Sequence, residues 1–387
     1  MPKLKGLLAM AGLGLGLAAV AHAGQGVTDT EVRIGSNSDL SGIFAAFGAP
    51  AVKAARQYFD KVNAAGGVHG RKIVFVVEDH GYQMPKAMQG LNKLVNSDRI
   101  FAMLLQLGTP MNVASFPLLE ARGIPNISPL SAARQMIEPP SRLKFTGFSS
   151  YYDQIRAGIR HLARKKGAKK ICAMYLPSDF GKEIKEGAVD EAKALGLDYV
   201  AETTHKPDEQ DFVGSLTKLK GAGCDTIALA LGVRQVIVTV ATAKKMGWKD
   251  VNFIGSSAAF HTAVARVPGG ITEGFYAAAG WSDLVARMDD PEVKAWVEEY
   301  QQAFGEFPGT GALLGRSAAE LMVRALEKAG RDLDTDSFIG AMESLSYFDK
   351  IAGVPIDYGP NDHQGGDVIV VSVIENGNWK EVERIGE

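Results

Sequence analysis

The stretch Ala49-Pro50-Ala51-Val52-Lys53-Ala54-Ala55-Arg56-Gln57-Tyr58-Phe59-Asp60-Lys61-Val62-Asn63-Ala64-Ala65-Gly66-Gly67-Val68-His69-Gly70-Arg71-Lys72-Ile73-Val74-Phe75-Val76-Val77-Glu78 decides the fold class. Its first part places Val52, Ala55, Tyr58, Phe59 and Val62 at helical spacing, so one face of a helix over 49–64 is apolar. Gly66-Gly67 then ends the helix, because glycine enters the left-handed region without a Cβ clash. From Ile73 to Val77 every residue is apolar and branched or aromatic. An uninterrupted run of this kind suits a strand covered on both faces, which is the environment of a parallel sheet flanked by helices.

The same alternation extends in both directions. Upstream, Val32-Arg33-Ile34-Gly35 reads as a short strand. Downstream come a helix over 85–96, a strand over 100–105, a helix over 112–122 and a short strand over 124–127. The pattern then restarts. Helices over 155–166, 181–195, 212–221 and 236–246 alternate with strands over 170–176, 199–202, 226–231 and 252–255. Alternating strands and helices imply an α/β fold with parallel sheets, and two series imply two lobes. Two long helical patterns follow, 291–304 and 315–329. A segment at 350–355 precedes a closing hairpin, 368–374 and 379–382, around Asn376-Gly377.

Residues 1–23 stand outside this pattern. A basic start with Lys3 and Lys5, an uncharged apolar run from Gly6 to Val20 and the Ala21-His22-Ala23 site form a secretory signal peptide. The apolar run is shorter than the ~20 residues of a membrane span. Cleavage after Ala23 shortens 387 residues by 23, to 364, and moves the net charge from −2 to −4 by removing Lys3 and Lys5. Gly12-Leu13-Gly14-Leu15-Gly16 imitates a phosphate loop, but it follows no strand and lies inside the export signal. The chain is expected to be exported and to bind no nucleic acid, since 42 Lys and Arg against 44 Asp and Glu leave no basic excess.

Catalytic motifs are missing from the sequence. There is no G-x-S-x-G, H-E-x-x-H, P-loop or C-x-x-C. The six histidines of the mature chain are dispersed, so none forms a local metal-ligand pair. His80 stands out only because it follows the second strand beside Asp79. Cys172 and Cys224 fall in or beside separate strands; buried thiols and a disulfide between neighbouring strands both fit an exported protein. No metal or cofactor is expected.

The informative residues lie in loops at the carboxyl ends of strands, where open parallel sheets bind ligands. These are Asp39-Leu40-Ser41-Gly42-Ile43-Phe44-Ala45-Ala46-Phe47-Gly48, Gln106-Leu107-Gly108-Thr109-Pro110 and Ser128-Pro129-Leu130-Ser131-Ala132. Each precedes a helix and can offer unpaired N–H groups to an anion.

At these loops the sequence resembles the leucine/isoleucine/valine-binding type of periplasmic solute-binding protein, which serves ATP-driven importers. Leu40-Ser41-Gly42 with Gly48, the run Val62 to Arg71, Gly123-Ile124-Pro125, Ile127-Ser128-Pro129 and Asp179-Phe180-Gly181 carry the resemblance, in order and spacing. It implies the type I periplasmic binding protein fold: two Rossmann-like lobes with parallel sheets, joined by three hinge crossings. The lobes would comprise 24–148 with 279–362, and 149–278 with 363–387. It further implies a ligand carboxylate held by Gly108, Thr109 and Ser131, with Phe47 and Phe180 covering the ligand. A membrane permease and an ATPase would be the partners of a monomeric protein in the periplasm.

The departures from the family pattern bear on the ligand. Ala132 stands where the family carries a hydroxyl, and Ser257 lies in Gly255-Ser256-Ser257-Ala258-Ala259-Phe260, a stretch with no carboxylate to pair with an ammonium. A buried unpaired ammonium is costly. Arg234 and Arg316 read either as surface charges or as a clamp on a carboxylate. Phe47, Tyr151, Phe180, Phe260 and Trp281 are candidate apolar walls. These residues favour an organic acid, with aromatic acids among the candidates, over leucine-like ligands. A ligand-sensing receptor of the same fold is the alternative function, and an exported α/β enzyme the third.

Overall fold

The computed structural model describes residues 24–386; the signal-peptide expectation lies outside the described residues. The first sheet is built from β1 (Glu31–Ser38), α1 (Ala45–Ala64), β2 (Lys72–Asp79), α2 (Met84–Asn92), β3 (Ala102–Leu104), α3 (Thr109–Ala121), β4 (Asn126–Ile127) and β5 (Lys144–Phe145). Its strand order is β2-β1-β3-β4-β5, and every pairing is parallel. Ile34, Ala102, Met103, Leu104 and Ile127 are buried along it, as the continuous apolar strands require.

The second sheet repeats this plan. α4 (Tyr151–Lys166) leads to β6 (Lys170–Tyr175), α5 (Asp179–Ala194), β7 (Asp198–Thr204), α6 (Val213–Gly221), β8 (Thr226–Ala230), α7 (Val233–Lys245), β9 (Asn252–Gly255), α8 (Thr262–Ala265) and β10 (Tyr276–Ala279). The chain returns to the first lobe for α9 (Pro291–Phe304), α10 (Thr310–Ala329), α11 (Thr335–Met342) and the hairpin β11 (Ser346–Asp349) with β12 (Val354–Asp357). It then crosses back for β13 (Ile369–Glu375) and β14 (Asn378–Ile385), giving the order β14-β13-β10-β9-β8-β6-β7. The last two strands are antiparallel, and Asn376 and Gly377 both adopt positive φ at their turn, as an Asn-Gly hairpin demands.

In each sheet the strand order reverses beside its first strand, between β1 and β3 and between β6 and β8. Loops leaving the two strands there run in opposite directions and open a crevice at their carboxyl ends. The two crevices face one another. The sequence expectations differ from this structure mainly in short elements: β5, β10, α11 and β11 carry no periodic signal. β10 reads Tyr276-Ala277-Ala278-Ala279, a poor strand by propensity, yet all four residues are buried between β9 and β13.

Cys172 at β6 and Cys224 before β8 form a disulfide, with Cα atoms 5.9 Å apart. Of the two alternatives open from the sequence, the structure selects the bridge. Such a bond persists in an oxidising compartment.

Candidate functional site

A cavity lies between the facing crevices and reaches into the first lobe. Residues of both lobes line it: Phe44, Phe47, Tyr82, Gly108, Thr109, Ser131, Ala132 and Tyr347 from the first, Tyr151, Phe180, Ser257 and Ala258 from the second.

The loop after β1 is set by two carboxylates. Asp39 is fully buried and accepts the N–H groups of Ser41, Gly42 and Phe44, which aims Phe44 at the cavity. Asp79 accepts from the amides of Leu40 and Gly81 and from the Ser41 hydroxyl. Gly48 sits where a Cβ would lie 2.0 Å from the Asp39 carbonyl, so no larger residue lets α1 pack this close. His80 ties the next two loops together: its Nε2 donates to the Leu107 carbonyl at 3.1 Å and its Nδ1 accepts from the Tyr82 amide at 3.0 Å. Burial lowers its pKa against the pull of Asp39, which favours the neutral ring these bonds use. His80 therefore positions cavity residues without lining the cavity itself.

Polar groups converge at the start of α3. Thr109 and Ser131 are buried, and their hydroxyls lie 2.8 Å apart. Gly108 adopts φ +97°, a conformation that suits glycine, and the first-turn amides of Thr109 and Met111 have no helical acceptor. Hydroxyls and helix amides together suit an anionic oxygen. Burial pushes the Tyr151 phenol up to about 12, despite contacts with Ala132 and Ser131 that favour ionisation, and burial also raises Tyr82. Both remain hydrogen-bond donors at neutral pH.

Aromatic rings close the mouth. Phe180 meets Phe44 edge-on at 5.6 Å and Tyr151 at 5.5 Å, and Phe44 contacts Tyr82 at 4.8 Å. Phe47 packs edge-on to His261 of the other lobe at 4.6 Å. Tyr82, Leu105 and Ser128 are non-glycine residues held at positive φ on the cavity wall, a strain that the surrounding structure has to impose.

The sequence-predicted residues Phe47, Gly108, Thr109, Ser131, Ala132, Phe180 and Ser257 all line this cavity. Arg234 does not. It is exposed at the start of α7 and reaches Gln210 at 3.4 Å, because the neighbouring Val233 and Gln235 take the buried face. Arg316 also lies outside the cavity, 2.6 Å from Glu320 and stacked on Tyr58. Phe260 stacks on Trp379 inside the second lobe, whereas Trp281 does line the cavity. The arginine clamp is thus corrected: among the described residues no Lys or Arg belongs to the cavity lining, and its one carboxylate is Asp349. Sequence reasoning missed Tyr82, Asp349 and the inner wall from α10. Among the described residues no group of three or more His, Cys, Asp or Glu is placed to hold a metal ion.

The family profile described as periplasmic binding protein matches residues 31–378. The chain belongs to this family. Similar to this binding protein is the Leu/Ile/Val-binding protein homolog 8 of Brucella suis biovar 1 (strain 1330), 24% identical over 373 residues, 93% of this chain and 91% of the relative. Among solved structures, the fatty acid ABC transporter substrate-binding protein from Thermomonospora curvata superposes with a TM-score of 0.84 at 28% identity, over 93% of each chain. A branched-chain amino acid ABC transporter protein from Thermus thermophilus with bound valine gives a TM-score of 0.84 at 23% identity, covering 93% of this chain and 96% of that one. The binding protein has the type I periplasmic fold of the substrate-binding components of ABC importers.

Proposed function

We propose that the protein captures a small carboxylate-bearing solute with an apolar body in the interlobe cavity and delivers it to the permease of an ABC importer. The observation that carries the reading is the lining. Buried Thr109 and Ser131 hydroxyls sit at a helix N-terminus, beside aromatic and aliphatic side chains, in a lining that holds no Lys or Arg among the described residues. Neutral dipoles of this kind hold an oxyanion without a buried cation. Near Ser257 the lining offers no carboxylate, so an α-ammonium would be desolvated without a partner there. An organic acid, aliphatic or aromatic, fits this arrangement better than an α-amino acid. The similarity to a fatty acid substrate-binding protein supports the same direction.

The lobes take the stretches 24–148 with 279–362 and 149–278 with 363–387. Hinge motion about the three crossings opens the cavity and closes it. Export to the periplasm follows from the signal peptide and agrees with the disulfide.

The test is a thermal-shift screen of the purified protein against panels of aliphatic acids, aromatic acids and amino acids, followed by calorimetry. Stabilisation by organic acids, with amino acids inert, is expected. Stabilisation by amino acids alone overturns the ligand class, and stabilisation by none of the three panels overturns carboxylate capture.

A further inference from the structure

The cavity does not end at Thr109 and Ser131. It continues into the first lobe between Leu105, Leu314, Leu321 and Ile356. There the wall turns polar again, with Thr146, Ser317, Tyr347, Asp349 and Tyr358. A lining that sets two polar groups, Thr109 with Ser131 and Thr146 with Ser317 and Asp349, among leucine and isoleucine side chains is unlike a plain hydrocarbon site.

The inner groups form one cluster. Asp349 is buried at the end of β11 and its Oδ1 accepts the amides of Ile351 and Ala352 at 2.8 and 2.9 Å, leaving Oδ2 as its remaining acceptor. The Tyr358 hydroxyl donates to the Thr146 carbonyl at 2.9 Å. Thr146 Oγ1 is buried on the cavity wall with no hydrogen-bond partner among the described residues, and Ser317 Oγ, buried beside Asp349, makes no bond of good geometry there. Both residues are 5% exposed, so bulk water does not serve them freely. Ser317 approaches Asp349 closely enough to favour its ionised form, while burial pushes that carboxyl above the usual range. A buried hydroxyl without a partner costs free energy, which a ligand group that bonds to it recovers.

We propose that this cluster recognises a hydroxyl group at the far end of the ligand. Resting on the carboxylate reading of the cleft, it makes the solute a hydroxy acid. The carboxylate lies at Thr109 and Ser131, the apolar body fills the corridor, and the terminal hydroxyl reaches the inner cluster. That hydroxyl donates to Asp349 and accepts from Ser317 or Thr146. It suits the site better than an ammonium, because a neutral group surrenders far less hydration on entering a corridor of leucine and isoleucine. An acid of the same body without the hydroxyl leaves the inner groups unpaired, a loss of roughly 10- to 100-fold in affinity.

Calorimetry on the purified protein with matched acids tests this. One series pairs medium-chain fatty acids with their ω-hydroxy acids, a second pairs phenylalkanoic acids with their para-hydroxy forms, and a third uses ω-amino acids. In one of the first two series the hydroxy acid is expected to bind at least tenfold tighter than its parent, and the series in which it does so identifies the body as aliphatic or aromatic. Ser317→Ala should reduce that preference to within threefold. Thr146→Val serves as the second variant should Ser317→Ala fold poorly. Equal binding of parent and hydroxy acids overturns the inner site and leaves the carboxylate reading standing. Tightest binding by an ω-amino acid replaces the hydroxyl with a cation. Binding by no acid overturns both readings together.

Discussion

Pro50 has no N–H to give the carbonyl four residues before it in α1, that of Ala46, and His261 of the other lobe takes that carbonyl instead, its Nε2 donating at 2.9 Å. The His261 Nδ1 accepts from the Ala263 amide at 3.0 Å, and the ring packs on Phe47 at 4.6 Å. One imidazole therefore fills a gap in a first-lobe helix, caps α8 and covers a cavity residue. Beside it, Thr262 and Thr310 exchange bonds between the lobes, each hydroxyl accepting the other residue's amide at 3.0–3.1 Å. His261→Leu removes this cross-lobe bond and leaves the partly buried Ala46 carbonyl unpaired when the lobes meet. A loss of about 1–3 kcal/mol in ligand binding is expected, roughly 5- to 100-fold in Kd, measured by calorimetry.

The same ring gives a pH dependence with a definite sign. Burial lowers the His261 pKa to about 4, against the Ala46 carbonyl that favours the protonated form. In the unfolded chain an ordinary histidine value of about 6.5 applies, and any opening of the lobes that exposes the ring moves its pKa towards that value. The folded value is depressed, so the closed state binds fewer protons. Its stabilisation is fully present above about pH 6.5 and is lost progressively as pH falls towards about 4. Ligand affinity should weaken across that window by up to about tenfold per pH unit, and His261→Leu should flatten this part of the profile. A wild-type affinity constant from pH 7 to about 4.5 would refute the assignment.

A second latch joins the lobes through Arg134 and Glu183. The Glu183 side chain is 2% exposed and accepts the Arg134 backbone amide and Nε, each at 3.0 Å, and the guanidinium stacks on the Tyr152 ring at 3.9 Å. Removing one partner of a buried pair strands the other charge. Because the Arg134 guanidinium is 30% exposed, solvent screening reduces the effect. Arg134→Ala is expected to weaken ligand binding about tenfold with little change in ligand-free melting, since separated lobes hydrate Glu183. Equal losses in melting and in binding would mark the pair as ordinary packing.

Much of this architecture is legible in the sequence because it rests on periodic burial. The apolar run Ile73 to Val77 and the helical spacing from Val52 to Val62 both point to one environment, a sheet sandwiched by helices. The loops holding Thr109, Ser131 and Phe180 are legible for a related reason: parallel strands force ligand residues to their carboxyl ends. What is not legible depends on contacts between distant segments. Tyr82 reaches the cavity only through a left-handed turn held by His80, and Asp349 reaches it only because the β11–β12 hairpin packs against α10. Arg234 misleads for the converse reason. A guanidinium near the right strand end attracts a clamp hypothesis, but which side of α7 faces the cleft is set by the burial of Val233 and Gln235.

The disulfide offers a stability prediction independent of the ligand. Cys172 and Cys224 are 52 residues apart in sequence, and bridging a loop of that size stabilises a fold by about 4 kcal/mol in the chain-entropy account. Both cysteines are buried in the second lobe, between strands that carry α5 and hence Phe180. Cys172→Ser with Cys224→Ser, or reduction under mild denaturant, should lower the denaturation midpoint by an amount corresponding to 2–4 kcal/mol.

The bond between Thr109 and Ser131 is the most direct test of where the ligand's oxygen binds. Thr109→Ala deletes one hydroxyl and leaves Ser131 Oγ without its 2.8 Å partner, so under the proposed carboxylate reading it removes one anion contact and disorganises another. A loss of about 1–2 kcal/mol is expected, roughly 5- to 30-fold in affinity for the acid. Thr109→Ser keeps the hydroxyl and should keep most of the affinity. Phe180→Ala acts differently, because it strips an aromatic wall that meets Phe44 and Tyr151 and admits water to the mouth. Its loss should grow with the apolar bulk of the ligand, whereas the Thr109→Ala loss should be the same for all acids. Both variants should retain the wild-type circular dichroism spectrum. Unchanged affinity in both would place the ligand somewhere other than this cavity.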